Sequence, residues 1–215
     1  MSAPRRDRGR EVIVDAHSHL YPRSYIDLLK DRSSVPRVVG AGPGSERFVI
    51  FQSEDAPGGT GGRPFGFEFW DTDAKLTFMD RFRIDRSVVS LGNPWLDPFE
   101  GALARTAATT LNEGLAALEA TTGGRIVCLG VVPQHDVAEA ADVVREIAET
   151  EGLYGVANGS RLCGRMLDEP DLDPVWEALA VTGMPFVVHP HYSLRAQELS
   201  GYGMTPLVAL GFPFE

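Results

Sequence analysis

The chain has 215 residues, 43% hydrophobic and 23% charged, enough to bury one sizeable core but short of what two ordinary domains need. Its formal net charge of -10 argues against nucleic acid or an anionic membrane surface as partner, since either would be repelled on average. A small molecule is left as the expected ligand.

The first residues, with Arg5, Arg6, Arg8 and Arg10, read as a disordered basic tail over 1–11. The apolar segment that follows is short and ends in Asp15 and histidines, so the start does not have the form of a signal peptide. No stretch approaches the apolar run that a membrane span requires. The two cysteines, Cys128 and Cys163, are too far apart for a CxxC unit and read as reduced thiols of a cytoplasmic protein.

Val12-Ile13-Val14 opens a buried strand that delivers His17 and His19. Side chains at i and i+2 of a strand share a face, so the two imidazoles should project together and form a chelating pair. A helix over 25–31, capped by Ser24, should follow, with Ile26, Leu28 and Leu29 on its apolar face. From Ser33 to Asp71 the periodicity gives way to glycine and proline, including Pro57-Gly58-Gly59-Thr60-Gly61-Gly62. This segment reads as an insertion or lid. Its aromatic part, Phe65 to Trp70, is expected to pack as a small hairpin in preference to covering a pocket.

Regular alternation then begins. A helix capped by Asp73 and carrying Leu76, Met79 and Phe82 leads to a strand over 86–91; a helix over 98–122 leads to a strand over 125–132. Asp136 should cap the next helix, 137–151, followed by a strand over 153–157, a helix over 174–181 and a strand over 184–189 that ends in His189. Strands alternating with helices imply parallel βαβ units, and five such strands are present, so the expected class is α/β, the first five units of a (β/α)8 TIM-barrel type. In that architecture the active site is built where strands end at their C-terminal side.

The polar residues at those ends therefore belong together. His17 and His19 come from the first strand, and His189 from the fifth completes a candidate metal set. Asn93 follows the second strand, with substrate contact and a plain turn before Pro94 as equal readings, and Trp95 offers an apolar wall. Gln134-His135-Asp136 reads as a capping turn. Asn158-Gly159-Ser160 suits an anion, a carbonyl or a turn equally. His191, beyond Pro190, is placed behind the ligands or against substrate.

The segments Val14-Asp15-Ala16-His17-Ser18-His19-Leu20-Tyr21-Pro22, Asn93-Pro94-Trp95, Leu167-Asp168-Glu169-Pro170 and Phe186-Val187-Val188-His189-Pro190-His191-Tyr192 resemble the amidohydrolase-related family of metal-dependent decarboxylases, which includes aminocarboxymuconate-semialdehyde decarboxylase. Tyr21 to Ile26, Ser90 to Trp95, His189 to Tyr192 and Ala209 to Pro213 are most similar to its isoorotate (uracil-5-carboxylate) branch. The resemblance implies a zinc-dependent, non-oxidative carboxy-lyase acting on an unsaturated or aromatic carboxylic acid such as a pyrimidine carboxylate. It implies His17, His19 and His189 as metal ligands, Asn93 as a hydrogen-bonding partner of the substrate and Phe212 packed against its ring. A histidine on the sixth strand and an aspartate on the eighth would supply the acid-base and remaining metal functions; both would lie beyond residue 215.

Five strands cannot close an eight-stranded barrel. Residues 12–215 are accordingly expected to be the N-terminal part of such an enzyme, unstable or inactive if made alone. A metal-dependent hydrolase of the same fold, using a metal-bound hydroxide, and a non-catalytic remnant stay open as alternatives. Members of the family commonly pair, which leaves a homo-oligomer open.

Overall fold

The computed structural model describes residues 11–191. In chain order the elements are β1 (Val14–His19), α1 (Arg23–Lys30), β2 (Arg37–Val39), β3 (Arg47–Val49), the single turn α2 (Gln52–Asp55), β4 (Arg63–Pro64), α3 (Thr72–Phe82), β5 (Arg86–Ser90), α4 (Gly101–Thr121), β6 (Ile126–Gly130), α5 (Val137–Glu149), β7 (Leu153–Asn158), β8 (Arg161–Leu162), β9 (Arg165–Met166), α6 (Asp173–Thr182) and β10 (Phe186–Val188). Short 3-10 turns precede α3 and α6.

Five strands form one sheet in the order β1-β5-β6-β7-β10, and every neighbouring pair is parallel. Strand order follows chain order, with a helix in each connection, which is the partial (β/α) barrel expected from the alternation. The middle strands are covered on their helical side: Val89, Ile126, Cys128 and Val156 are fully buried together with Leu111 and Leu115 of α4, Val144 and Ile147 of α5 and Val175 of α6. Close layering explains one glycine. Gly152 has φ +94°, and a Cβ there would stand 2.4 Å from the carbonyl oxygen of Ala116 in α4. The two outer strands are less covered, with Val14 50% and Val188 56% exposed among the described residues.

The segment over 33–71 is not a bare loop. Strands β2, β3 and β4 pair antiparallel into a small sheet, and Phe48, Ile50, Phe51 and Phe65 are buried in the common core. The aromatic part, Phe65 to Trp70, is not a hairpin but a 3-10 turn over Phe67–Phe69; Phe65 lies 5.3 Å from Tyr21 and 5.3 Å from Phe69, centroid to centroid, while Phe67 is exposed. Glu46, only 3% exposed, ties this sheet to α1 by accepting from Arg23 at 2.8 and 2.9 Å and pairing with Lys30.

Several boundaries differ from the sequence reading. Helix α1 starts at Arg23 with Pro22 at its cap and no side-chain cap, so Ser24 lies inside the first turn. Asp71, not Asp73, caps α3, accepting from the amide of Ala74 at 2.9 Å. Its Met79 is buried, but Phe82, at helical spacing from it, is 53% exposed and stacks on Phe78. Asp136 does cap α5, through the amide of Glu139 at 2.9 Å. The β8-β9 hairpin was not read from sequence, because two residues per strand leave no detectable period.

Candidate metal centre

The histidine pair is delivered by an irregular strand. Asp15 is level with Ser87 of β5 but Ser18 is level with Val89, so β1 carries one more residue than its neighbour between these points. Such a bulge turns side chains away from simple alternation. One carboxylate holds it. Asp15 accepts from Ser87 Oγ at 2.9 Å, from Lys75 Nζ of α3 at 3.1 Å and from the amide of His17 at 3.3 Å, while Lys75 also donates to Ser18 Oγ. Burial alone would raise the Asp15 carboxyl, yet the Lys75 and Ser87 bonds hold it below its ordinary range.

His17 and His19 nevertheless converge, and His189, directly after β10, joins them. The Nε2 atoms of His17 and His19 are 3.2 Å apart, and those of His19 and His189 3.1 Å. The ring centroids are 4.8 to 5.0 Å apart, and one ring nitrogen from each of the three lies within 4.8 Å of the other two. Nitrogens bonded at about 2.0–2.1 Å to one tetrahedral ion stand about 3.3 Å apart. The triad therefore fits a divalent transition metal. It is the one group of three or more such donors among the described residues.

The protonation pattern agrees with that fit. His189 Nδ1 lies 2.7 Å from the carbonyl of Pro190, which can only accept, so the ring proton sits on Nδ1 and the Nε2 lone pair is free. Ser90 Oγ meets His19 Nδ1 at 3.1 Å and can hold the same tautomer. Burial, reinforced by the neighbouring His189 and His17, pushes His19 down to about 4, and burial lowers His189 as well. His19 and His189 are thereby held towards the neutral form that a metal ligand needs.

A cleft of about 370 Å³ opens on the triad, lined also by Tyr21, Gly92, Asn93 and Pro190. Asn93 is 8% exposed; its Nδ2 donates to the Pro190 carbonyl at 3.2 Å while its Oδ1 is buried without a hydrogen-bond partner among the described residues. Tyr21 supports it by donating to the Asn93 backbone carbonyl at 3.0 Å, and a Cβ on Gly92 would meet the tyrosine oxygen at 2.3 Å. A second cleft, about 710 Å³, runs along the open side of β1 against Phe67, Lys75 and Phe78.

Other candidates have structural occupations. His135 Nε2 donates to the backbone carbonyl of Asp97 and His191 Nε2 to its carboxylate, at 2.9 and 3.2 Å. Trp95, 1% exposed, packs against both His189 and His191 rather than forming an open wall. Asn158 is consumed by the turn after β7, accepting from Gln134 at 2.7 Å and donating to the Arg161 carbonyl at 2.7 Å. Phe212 lies outside the described residues. Both cysteines are free thiols. Sequence reasoning missed Lys75, Ser90 and Asp97, since a lysine on an amphipathic helix, a serine ending a strand and an aspartate in a turn carry no local signal of a distant partner.

Three histidines meeting at the strand ends of a parallel (β/α) sheet form a possible metal site, and comparison with known proteins specifies the family. The sequence profile of the amidohydrolase family matches residues 14–205, and the chain belongs to that family. It is similar to 2-amino-3-carboxymuconate-6-semialdehyde decarboxylase of Dictyostelium discoideum, 24% identical over 96% of this chain and 56% of that protein. The crystal structure of IDCase (isoorotate decarboxylase) of Metarhizium anisopliae superposes with a TM-score of 0.82 at 32% identity, covering 95% of this chain and 58% of that one. A 5-carboxyvanillate decarboxylase of Novosphingobium aromaticivorans, crystallised with manganese and 4-hydroxy-3-methoxy-5-nitrobenzoic acid, shares the fold at a TM-score of 0.68 and 21% identity over 94% of this chain and 55% of that one. The chain thus spans between half and three fifths of the length of these relatives.

Proposed function

We propose that the triad serves metal-dependent, non-oxidative decarboxylation of an aromatic or unsaturated carboxylic acid, with a pyrimidine carboxylate as the first substrate to try. The observation that carries this reading is the meeting, in one cleft, of three imidazoles, the Nε2 atom of His19 standing 3.2 Å from that of His17 and 3.1 Å from that of His189, beside Asn93, whose buried Oδ1 has no partner among the described residues. The names of the decarboxylases to which the chain is similar support it. When bound, a divalent cation supplies a Lewis acid able to polarise a substrate oxygen.

The chain's own residues define what can sit there. His19 and His189, each with a partner on Nδ1, can present Nε2 lone pairs beside His17. The Asn93 oxygen accepts, so the substrate should carry an N–H or O–H donor beside its carboxylate; a pyrimidine ring N–H and a phenolic hydroxyl both qualify. A substrate lacking that donor would leave Oδ1 buried and unpaired, at a cost of about 1–3 kcal/mol. No further carboxylate or histidine lines this cleft among the described residues. The acid that returns a proton to the ring carbon is assigned, with the resemblance, to a part of such an enzyme outside them.

The test is carbon dioxide release from a panel of pyrimidine, hydroxybenzoic and carboxymuconate acids by protein loaded with zinc, as the resemblance suggests, or manganese, as in the Novosphingobium enzyme. Metal-dependent release that disappears in His17→Ala is expected. Turnover of an amide or ester panel without carbon dioxide release would establish the hydrolase reading instead, and undiminished release by His17→Ala would remove that residue from the centre.

A further inference from the structure

One carbonyl links the metal centre to the acceptor that reads the substrate. The Pro190 oxygen accepts from His189 Nδ1 at 2.7 Å and from Asn93 Nδ2 at 3.2 Å. Its orientation therefore sets two things at once: which His189 nitrogen is left for the triad, and which end of the Asn93 amide is engaged. Because that carbonyl belongs to the planar peptide unit joining residues 190 and 191, whatever anchors residue 191 anchors it.

Residue 191 is anchored on the far side from the triad. His191 Nε2 donates to Asp97 Oδ2 at 3.2 Å, and its ring packs on Trp95 with centroids 4.9 Å apart. Asp97 is fixed in turn, its amide bonded to the Pro94 carbonyl at 3.2 Å and its own carbonyl accepting from His135. Gly159, after β7, leaves room for the stack: a Cβ there would come within 3.0 Å of Trp95 and 3.2 Å of His191. Asp97 touches neither the triad nor the cleft.

We infer that Asp97 is a positioning residue: through His191 it fixes the Pro190 carbonyl, and so holds the His189 tautomer and the Asn93 amide in the orientations that the metal and the substrate require. The inference rests on the metal reading above for its second readout only. The first is independent of metal.

Two variants separate this role from simple loss of structure. Asp97→Asn keeps size and turn but weakens the acceptor; His191→Phe keeps a ring on Trp95 and removes the donor. In the metal-free full chain, long-range proton–nitrogen correlation spectra of the histidine rings should show His189 protonated on Nδ1 in the wild type and a mixture of tautomers in both variants. Zinc affinity, measured by competition with a chromophoric chelator, should fall about 10- to 100-fold in both and recover most of that loss in Asp97→Glu, with thermal unfolding of the metal-free proteins shifted little. An unchanged His189 tautomer in both variants, or wild-type zinc affinity in both, would overturn the inference. A wild-type chain that binds no zinc would overturn the metal reading, while the tautomer comparison would still decide the role of Asp97.

Discussion

His19 and His189 lie 170 positions apart, on the two opposite edges of the five-stranded sheet, yet their Nε2 atoms are 3.1 Å from each other. In a flat sheet, edge strands four spacings apart would be separated by about 19 Å. Strong curling, as in a barrel wall, is what brings the rings together, and a cation held by both edges would resist flattening of that curve.

Divalent metal should therefore stabilise the fold as well as complete the site. With zinc at about 100 times its dissociation constant, the expected gain is about 2.7 kcal/mol, visible as a higher melting temperature that chelator reverses. His189→Ala should abolish the increment. An equal increment in that variant would show that the ion binds elsewhere.

Glu46 predicts an acid-sensitive contribution from the insertion. Arg23 first, then Lys30, pull its carboxyl down to about 2 from an ordinary 4.5. A depressed carboxyl contributes stability that is complete above about pH 4.5 and is lost as pH falls towards 2. Glu46→Gln should cost about 2–3 kcal/mol near neutral pH and flatten the acid limb of the stability curve in denaturant titrations. A variant with the wild-type acid limb would show that the carboxylate does not carry it.

Asn112 is the bolt between α4 and the end of β6. Its Nδ2 donates to the Val131 carbonyl at 3.0 Å and its Oδ1 accepts from the Val131 amide at 2.8 Å, both bonds buried. Asn112→Leu keeps the volume but strands two buried backbone groups, so a loss of about 2–4 kcal/mol is expected by equilibrium unfolding. A loss below about 0.5 kcal/mol would mean that the backbone finds other partners.

Both thiols should be slow to alkylate in the folded protein. Burial pushes Cys128 up to about 12, and burial followed by Asp136 pushes Cys163 up to about 11, so neither holds appreciable thiolate near neutral pH. Mass spectrometry after brief iodoacetamide treatment should find both unmodified until denaturant is added. Rapid labelling of Cys128 in native buffer would reveal local opening of β6.

Much of the fold was legible in the chain because its signals are local. Apolar runs bounded by helical periods located the five parallel strands, the cap at Asp136 announced α5, and His17, His19 and His189 stood out because each ends such a run. Phe82 was misplaced, since periodicity names a helix face without saying whether anything covers it. The small sheet at Arg37, Arg47 and Arg63 was hidden among glycines, where two- and three-residue strands have no period to read.

What the sequence by itself determined was the order of the βα units and the kinds of group at their ends: two imidazoles on one strand, a third on another, an amide between. Tertiary structure alone decided that the sheet curls enough to bring opposite edges together, that β1 bulges around an Asp15 held by Lys75, and that His191 turns to Asp97 instead of joining the triad. The reason is physical. Strand ends are set by local propensity and pattern, whereas the meeting of His19 with His189 and the bond from Asn93 to the Pro190 carbonyl join residues 170 and 97 positions apart.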